Sequence, residues 1–414
     1  AQGRSGPGRF VSWRRLARGG PLPGFATGVS LMVSPLVPRV IPGTRIALGE
    51  EGSIADSEWD TESDFSSRVA TPGAVPVSEF LEGAFVSHLR ALSSARFTAD
   101  GAKILTASYD YTAKLFDVST GECEVTFRGH TEPVLWVTSS SDLSKVVTSS
   151  ADKTARVFDA ATGACLQTLE GHTAHVLTAT FSPDCNRVLT ASGDRTARIF
   201  NTETGECEVR CSGHTQPVYM ATFSPDGSKV LTASHDKTSR VFNAATGACE
   251  RTFLGHRAHV YMASFSPDGA KVVTASADGS ARVFDVATGT CESKLGDHGG
   301  RVYTASFSPD ASKVLTACSD CSARIFSAET GILEVTLEGH GLAVHTAAYS
   351  PDGEHILTAS DDSIARVFDS KTGACQRSFI GNGDHVYMAS FSPDGQLVLT
   401  AADDGLARIF RTVS

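Results

Sequence analysis

Residues 176–211 read VLTATFSPDCNRVLTASGDRTARIFNTETGECEVRC, and this stretch decides the fold because it is one copy of a recurring unit. Val176 to Phe181 is a β-rich run. Ser182-Pro183-Asp184 predicts a turn, since Pro presets φ and Asp bonds the local backbone. Arg187 to Ala191 reads as a second strand, Gly193-Asp194 breaks it, and Thr196 to Phe200 is a third. Thr204-Gly205 turns the chain again, and Cys207 to Cys211 is a fourth strand. One copy is therefore one small four-stranded antiparallel sheet.

Outward from this copy the register never slips. Asp110, Asp152, Asp194, Asp236, Asp278, Asp320, Asp362 and Asp404 follow at a constant spacing of 42 residues (152 less 110, and so on), which makes eight units. A single small sheet cannot bury both faces, so neighbours must stack, and a ring removes the unpaired ends an open stack would expose. The last unit stops at Arg408-Ile409-Phe410 and lacks its fourth strand. Stepping back one period from Ala164 to Gly171 gives Phe80 to Ser87, so Phe80, Leu81, Phe85 and Val86 sit where an outer strand belongs. The expected fold is all-β, a closed eight-bladed β-propeller of four-stranded antiparallel blades over residues 79–414. The leading strand completes the eighth blade, and a mostly disordered arm, residues 1–78, precedes it.

Composition narrows the function. The 414 residues are 41% hydrophobic and 20% charged, and no apolar run approaches the ~18 residues a membrane span needs. The formal net charge is −10, and residues 79–414 carry 28 bases (36 less 8) against 39 acids (46 less 7). So acidic a body is a poor match to a phosphate backbone, which speaks against direct nucleic-acid binding. Cys123, Cys165, Cys207, Cys249, Cys291 and Cys375 occupy one repeated slot, expected to be a small buried hydrophobe without disulfides, in a reducing compartment. Cys318 and Cys321 form a Cys-x-x-Cys whose first member replaces the Ser of sister units and whose second replaces a turn residue, with no second pair at metal spacing.

A Gly-His before the inner strand, a Ser-Pro-Asp-Gly after it and a dipeptide ending in Asp on the third strand together resemble the WD40-repeat family, over about four-fifths of the chain. The resemblance implies a propeller acting as scaffold or adaptor, in which a turn His bonds the Asp of the next turn. The matching pairs are His88 with Asp110, His130 with Asp152, His172 with Asp194, His214 with Asp236, His256 with Asp278, His298 with Asp320 and His340 with Asp362. Distributed one per blade, they read as structural cement and not as a metal or acid-base centre. The family's strand Trp is Phe at Phe116, Phe158, Phe200, Phe242, Phe284, Phe326, Phe368 and Phe410, which removes an N–H donor and shortens the expected network. The eighth unit has Asn382 for His and Ala402 for Ser, and the first has Ser87 for Gly, so both atypical units flank the seam.

One inner-strand slot, immediately after the aligned Val, varies most: Ser93, Leu135, Leu177, Tyr219, Tyr261, Tyr303, His345 and Tyr387. In the family the start of this strand faces the narrower surface of the ring, where partners insert side chains. Tyr offers apolar area with a hydrogen-bonding tip, and His259, Arg301 and His385 flank the same slots. Asp361 and Asp403 precede turn Asp residues on the seventh and eighth blades. A basic side chain sandwiched by rings and met by carboxylates is the binding mode these residues suggest, against the alternative that the Tyr rings only pack between blades.

With no Ser-His-Asp order, metal cluster or Gly-rich phosphate loop apart from the repeat, the chain reads as a non-catalytic scaffold without cofactor. Its partners would be other proteins or peptides, with the ring itself monomeric and cytoplasmic. Cargo adaptors of cilium and dynein assembly and substrate receptors of ubiquitin ligases are alternatives within the resemblance. Residues 1–49, with seven Arg and no acid before Glu50, resemble a transit segment and equally fit a basic arm or a truncated gene model. Residues 50–65 hold seven acids around Trp59 and Phe65, as a solvated linker or a docking segment, and Ser57 and Thr61 precede acids as in acidophilic kinase sites.

Overall fold

The computed structural model describes residues 81–86, 88–296 and 298–412. Thirty-two strands, β1 to β32 in chain order, form eight four-stranded antiparallel sheets. Seven blades are each one contiguous run, as in the third: β10 (Val176–Phe181), β11 (Arg187–Ser192), β12 (Ala197–Asn201) and β13 (Cys207–Cys211). The expected strands lie within one residue of these bounds. Burial falls from axis to rim. On β11 Val188 to Ser192 are all buried because sheets cover both faces, whereas β13 buries only Val209 and Cys211.

The core lies between blades. Val147, Ala155, Val157 and Leu169 of the second blade meet Val176, Ala179, Val188 and Phe200 of the third in one cluster. The Phe of the third strand is buried in every blade, from Phe116 to Phe410. Each such ring contributes on the order of 1.5–3 kcal/mol of transfer free energy, which Phe supplies as well as Trp.

The eighth blade is built differently. Its order is β1 (Leu81–Val86), β32 (Leu406–Arg411), β31 (Leu397–Ala402), β30 (Val386–Phe391), so its outer strand comes from the start of the chain. Leu81 pairs with Phe410 and Val86 with Leu406, which bears out the expected latch. The first blade then packs on the eighth as on any neighbour: Leu92, Ala95, Ile104 and Phe116 share a cluster with Tyr387, Met388, Leu399 and Ala401. The turns repeat this closure. Pro393 Cδ lies 3.1 Å from where a Cβ on Gly101 would sit, as Pro183 Cδ lies 3.3 Å from that of Gly227. Phe80, Ser87 and the arm 1–78, with its transit, acidic and kinase-site readings, lie outside the described residues.

One expectation is corrected here. Cys123, Cys165, Cys207, Cys249, Cys291 and Cys375 are free as expected but exposed, not buried. Their slot opens the outermost strand, where no further sheet covers the rim; the buried thiols are Cys211, which ends such a strand, and Cys318.

Candidate functional site

Each blade solves one electrostatic problem at its upper turn. Asp236 is typical: its Oδ2 lies 2.7 Å from His214 Nδ1 and accepts from Thr215 N–H at 3.1 Å, while Oδ1 accepts from the Thr238 hydroxyl at 2.6 Å. Burial alone would raise this carboxyl's pKa, but the donors, His214 and Thr238 foremost, outweigh it and hold the group well below the usual carboxylate range. His214 Nε2 lies 2.7 Å from the Thr232 hydroxyl, which in turn donates to the Arg240 carbonyl at 3.3 Å. The network ends there, on backbone, and Phe242 packs its ring 6.2 Å from that of His214. The missing indole donor therefore shortens the chain of bonds as expected. Gly in the Gly-His turn also has a steric reason: Gly213 sits at φ +120, and a Cβ there would meet Arg240 Nη1 at 2.6 Å.

The same Asp-His contact joins His88, His130, His172, His256 and His340 to their partners at 2.7 to 3.0 Å. The sixth blade departs. Arg324 Nη1 donates to Asp320 at 2.8 Å and lies 2.9 Å from His298 Nδ1, so the pair is bridged by a guanidinium. His298, Cys318 and Asp320 do bring ligand atoms within 4.8 Å of one another. Arg324 engages the lone pairs a metal would need, and burial pushes the Cys318 thiol up to about 11, so the trio reads as ion-pair cement. In the eighth blade Asn382 accepts from the Thr400 hydroxyl at 2.7 Å, and Arg408 neutralises Asp404 at 2.6 Å.

The variable slot has a structural cause the sequence hides. In every blade the first two strands slip register by one residue, between Val218 and Met220 in the fourth and between Val260 and Met262 in the fifth. The extra residue is the slot residue itself, a β-bulge that re-aims its side chain. Four bulge residues on consecutive blades meet in an arc: Tyr219 to Tyr261 at 6.2 Å between ring centroids, Tyr261 to Tyr303 at 5.9 Å, and Tyr303 stacked on His345 at 5.1 Å. Burial raises the phenol pKa of all three Tyr, and Arg301 bonds to Tyr261 in opposition.

Both ends of the arc carry imidazoles. At one end His235 stacks on Tyr219 at 5.7 Å, and its Nε2 lies 2.7 Å from His259 Nε2. His259 Nδ1 lies 3.0 Å from the His235 carbonyl and must donate to it, so His259 Nε2 is the acceptor and His235 Nε2 carries the proton. At the other end His345 Nε2 approaches Asp361 Oδ1 at 2.8 Å, and His385 Nδ1 lies 2.6 Å from the Asp361 carbonyl. Asp403 N–H donates to the His385 carbonyl at 3.2 Å. Tyr387 stands apart: it is buried in the seam cluster, and its hydroxyl donates to the Leu92 carbonyl. Packing accounts for Tyr387.

Three residues absent from the sequence-based site join it or lie on the inner strands. His235 sits in the arc, although its slot varies without pattern. Arg96 and Trp136, on β2 (Leu92–Phe97) and β6 (Val134–Ser139), stack with Arg96 Cζ 4.1 Å from the ring centroid. Their signal was available, since both break the repeat on inner strands.

Eight four-stranded antiparallel blades, the last completed by the leading strand, define a β-propeller. Segments 81–117, 121–159, 163–201, 205–243, 247–285, 289–327, 331–369 and 373–411 each match the family model described as WD domain, G-beta repeat. The chain belongs to the WD40-repeat family, whose propellers generally serve as protein-interaction scaffolds and are typically non-catalytic. Among solved structures it is similar to the crystal structure of the computationally designed Ika8 protein, at 26% identity and a TM-score of 0.71, over 80% of this chain and 98% of that one. No curated protein matches it. Among the described residues no helix is long and apolar enough to cross a membrane.

Proposed function

We propose that the chain is a non-catalytic adaptor that binds a partner protein at the Tyr-lined mouth of its channel, taking a basic side chain against the arc. One observation carries this reading: the bulge slot sets Tyr219, Tyr261, Tyr303 and His345 in continuous ring contact, and the arc ends on the carboxylate of Asp361. Aromatic faces attract a cation, and a carboxylate at the end of the row fixes its head group. His259, Arg301, His385 and Asp403 frame the arc and set what else the partner presents. Tyr387, buried in the seam cluster, is not part of this arc. The free cysteines suit a reducing compartment, and a cytoplasmic location goes with this reading.

The test is a peptide array probed with the full chain. Retained peptides should lose binding when their Lys or Arg is replaced by Ala, and Tyr261→Ala with Tyr303→Ala should abolish retention while circular dichroism stays unchanged. Leu135→Ala should spare it. Retention by the folded double variant would move the site off the arc.

A further inference from the structure

We propose that the channel wall between the first and second blades is an oxyanion-binding site built on Arg96, taking a carboxylate or a phosphate group. The eight inner strands contain one Lys, Arg, Asp or Glu between them, and it is Arg96. Its sister residues are Thr138, Thr180, Thr222, Ser264, Ser306, Ala348 and Ser390, all small. A guanidinium has been placed where seven blades need only a hydroxyl or a methyl.

The surroundings hold the cation without satisfying it. Trp136 covers one flat face, and burial pushes the guanidinium pKa down to about 10, so Arg96 remains charged at neutral pH. A ring face cannot accept the in-plane N–H bonds. Nε and Nη2 are shielded from solvent and have no hydrogen-bond partner among the described residues. These two nitrogens share one edge of the guanidinium, the fork whose parallel N–H bonds match the two oxygens of a carboxylate or phosphate.

Two hydroxyls lie in the same two blades. Ser94, two residues before Arg96 and so on the same face of its strand, has a buried Oγ with no partner among the described residues, a condition it shares with Thr178, Thr304 and Thr346 in the same slot of other blades. Ser149, the cross-strand neighbour of Trp136, has another, where all seven sister blades carry Ala. Buried polar atoms are almost always bonded, and Arg96 alone leaves both nitrogens of its fork without a partner among the described residues, which indicates an acceptor from outside the chain. The acidic turns at the far end of the inner strands, such as Asp100 and Asp142, disfavour an anion's approach from that side. The arc of Tyr219, Tyr261, Tyr303 and His345 spans blades four to seven, across the ring, so this site is independent of the cation-accepting one.

The test uses the full chain with Trp13→Phe and Trp59→Phe, leaving Trp136 as the fluorescent reporter. Sodium phosphate and sodium acetate are titrated at pH 7 against sodium chloride of equal ionic strength. A saturable change in Trp136 emission with phosphate, acetate or both is expected, and the stronger arm identifies the oxyanion. Arg96→Thr, which installs the residue of three sister blades, should weaken the response at least tenfold, and Arg96→Lys, which keeps the charge without the fork, several-fold. A response no different from chloride overturns the site, leaving the edge hydrated by water alone; so does an undiminished response in Arg96→Thr. Should Arg96→Thr fail to fold, Arg96→Lys and the parent titration decide by the same criteria. Tyr261→Ala with Tyr303→Ala should leave the response intact, which separates failure here from failure of the arc.

Discussion

The upper turns and the inner-strand bulges lie a few residues apart in every blade and behave in opposite ways. At the turns a nearly constant set of residues repeats, and each Asp is met by enough donors to cancel its charge: His214 and Thr238 around Asp236, Arg324 around Asp320, Arg408 around Asp404. At the bulges the backbone irregularity is constant while the side chain changes, from Ser93 through Leu135 to Tyr303 and His345. Where the sequence repeats, polar groups are consumed inside the fold. Where it breaks, at Tyr261, His345 or Arg96, aromatic rings, an imidazole and an N–H edge replace the repeated residues, and these are the positions proposed above to meet ligands.

The largest test of the constant layer is removal of the latch. Deleting residues 79–87 should strip β32 of its outer partner, expose its edge and lower the melting temperature by more than any point variant, whereas removing residues 1–70 should leave it unchanged. Equal melting of the two truncations would show that pairing of Leu81–Val86 with Leu406–Arg411 does not hold the ring. Next comes acid. Asp110, Asp152, Asp194, Asp236, Asp278, Asp320 and Asp362 all have folded pKa values below their unfolded value of about 4. Their stabilisation is complete above about pH 4 and is lost as pH falls through the lower folded values. Denaturant midpoints should therefore drop steeply between pH 4 and pH 2, and Asp236→Asn should flatten that drop measurably.

Smaller effects separate the two layers. His214→Ala leaves the Asp236 carboxylate short of a donor and should cost roughly 1–3 kcal/mol in urea unfolding. His235→Ala should cost less, because His235 bonds only a neighbouring imidazole. Burial first, then electrostatic repulsion between the two adjacent imidazoles, holds the His235 pKa down to about 4, against about 6.5 unfolded. Its neutral form is favoured by folding, so this contribution is complete above pH 6.5 and declines toward pH 4. An NMR titration should find His235 neutral at pH 5.5, and a midpoint near 6.5 would contradict the contact. Smallest is Cys165→Ser on the exposed rim, expected within about 0.5 kcal/mol of the parent.

Much of this was legible in the residues. The spacing of Asp110 to Asp404 determines eight blades, and the missing fourth strand after Phe410 points to Leu81–Val86, because a closed ring cannot tolerate an odd edge. The turn pairs followed from a resemblance, and six of the seven named pairs stand as direct contacts. The bulge was not legible, since register depends on how two strands hydrogen-bond and no residue type marks it. Nor was the exposure of Cys165 and its sisters: an alternating pattern does not say whether a strand is covered. Arg96 and Trp136 were visible as breaks in the repeat, but only their stacking across two blades shows that they act together.

The division of labour between the two layers is tested most directly by measuring peptide binding and urea unfolding on the same preparations of His214→Ala and of Tyr261→Ala with Tyr303→Ala. The expected result is a double dissociation. His214→Ala loses stability and, at a temperature where it remains folded, binds with unchanged affinity, while the Tyr variant loses binding by tenfold or more without matching loss of the folded ring. Parallel losses of binding and stability in both variants would contradict it.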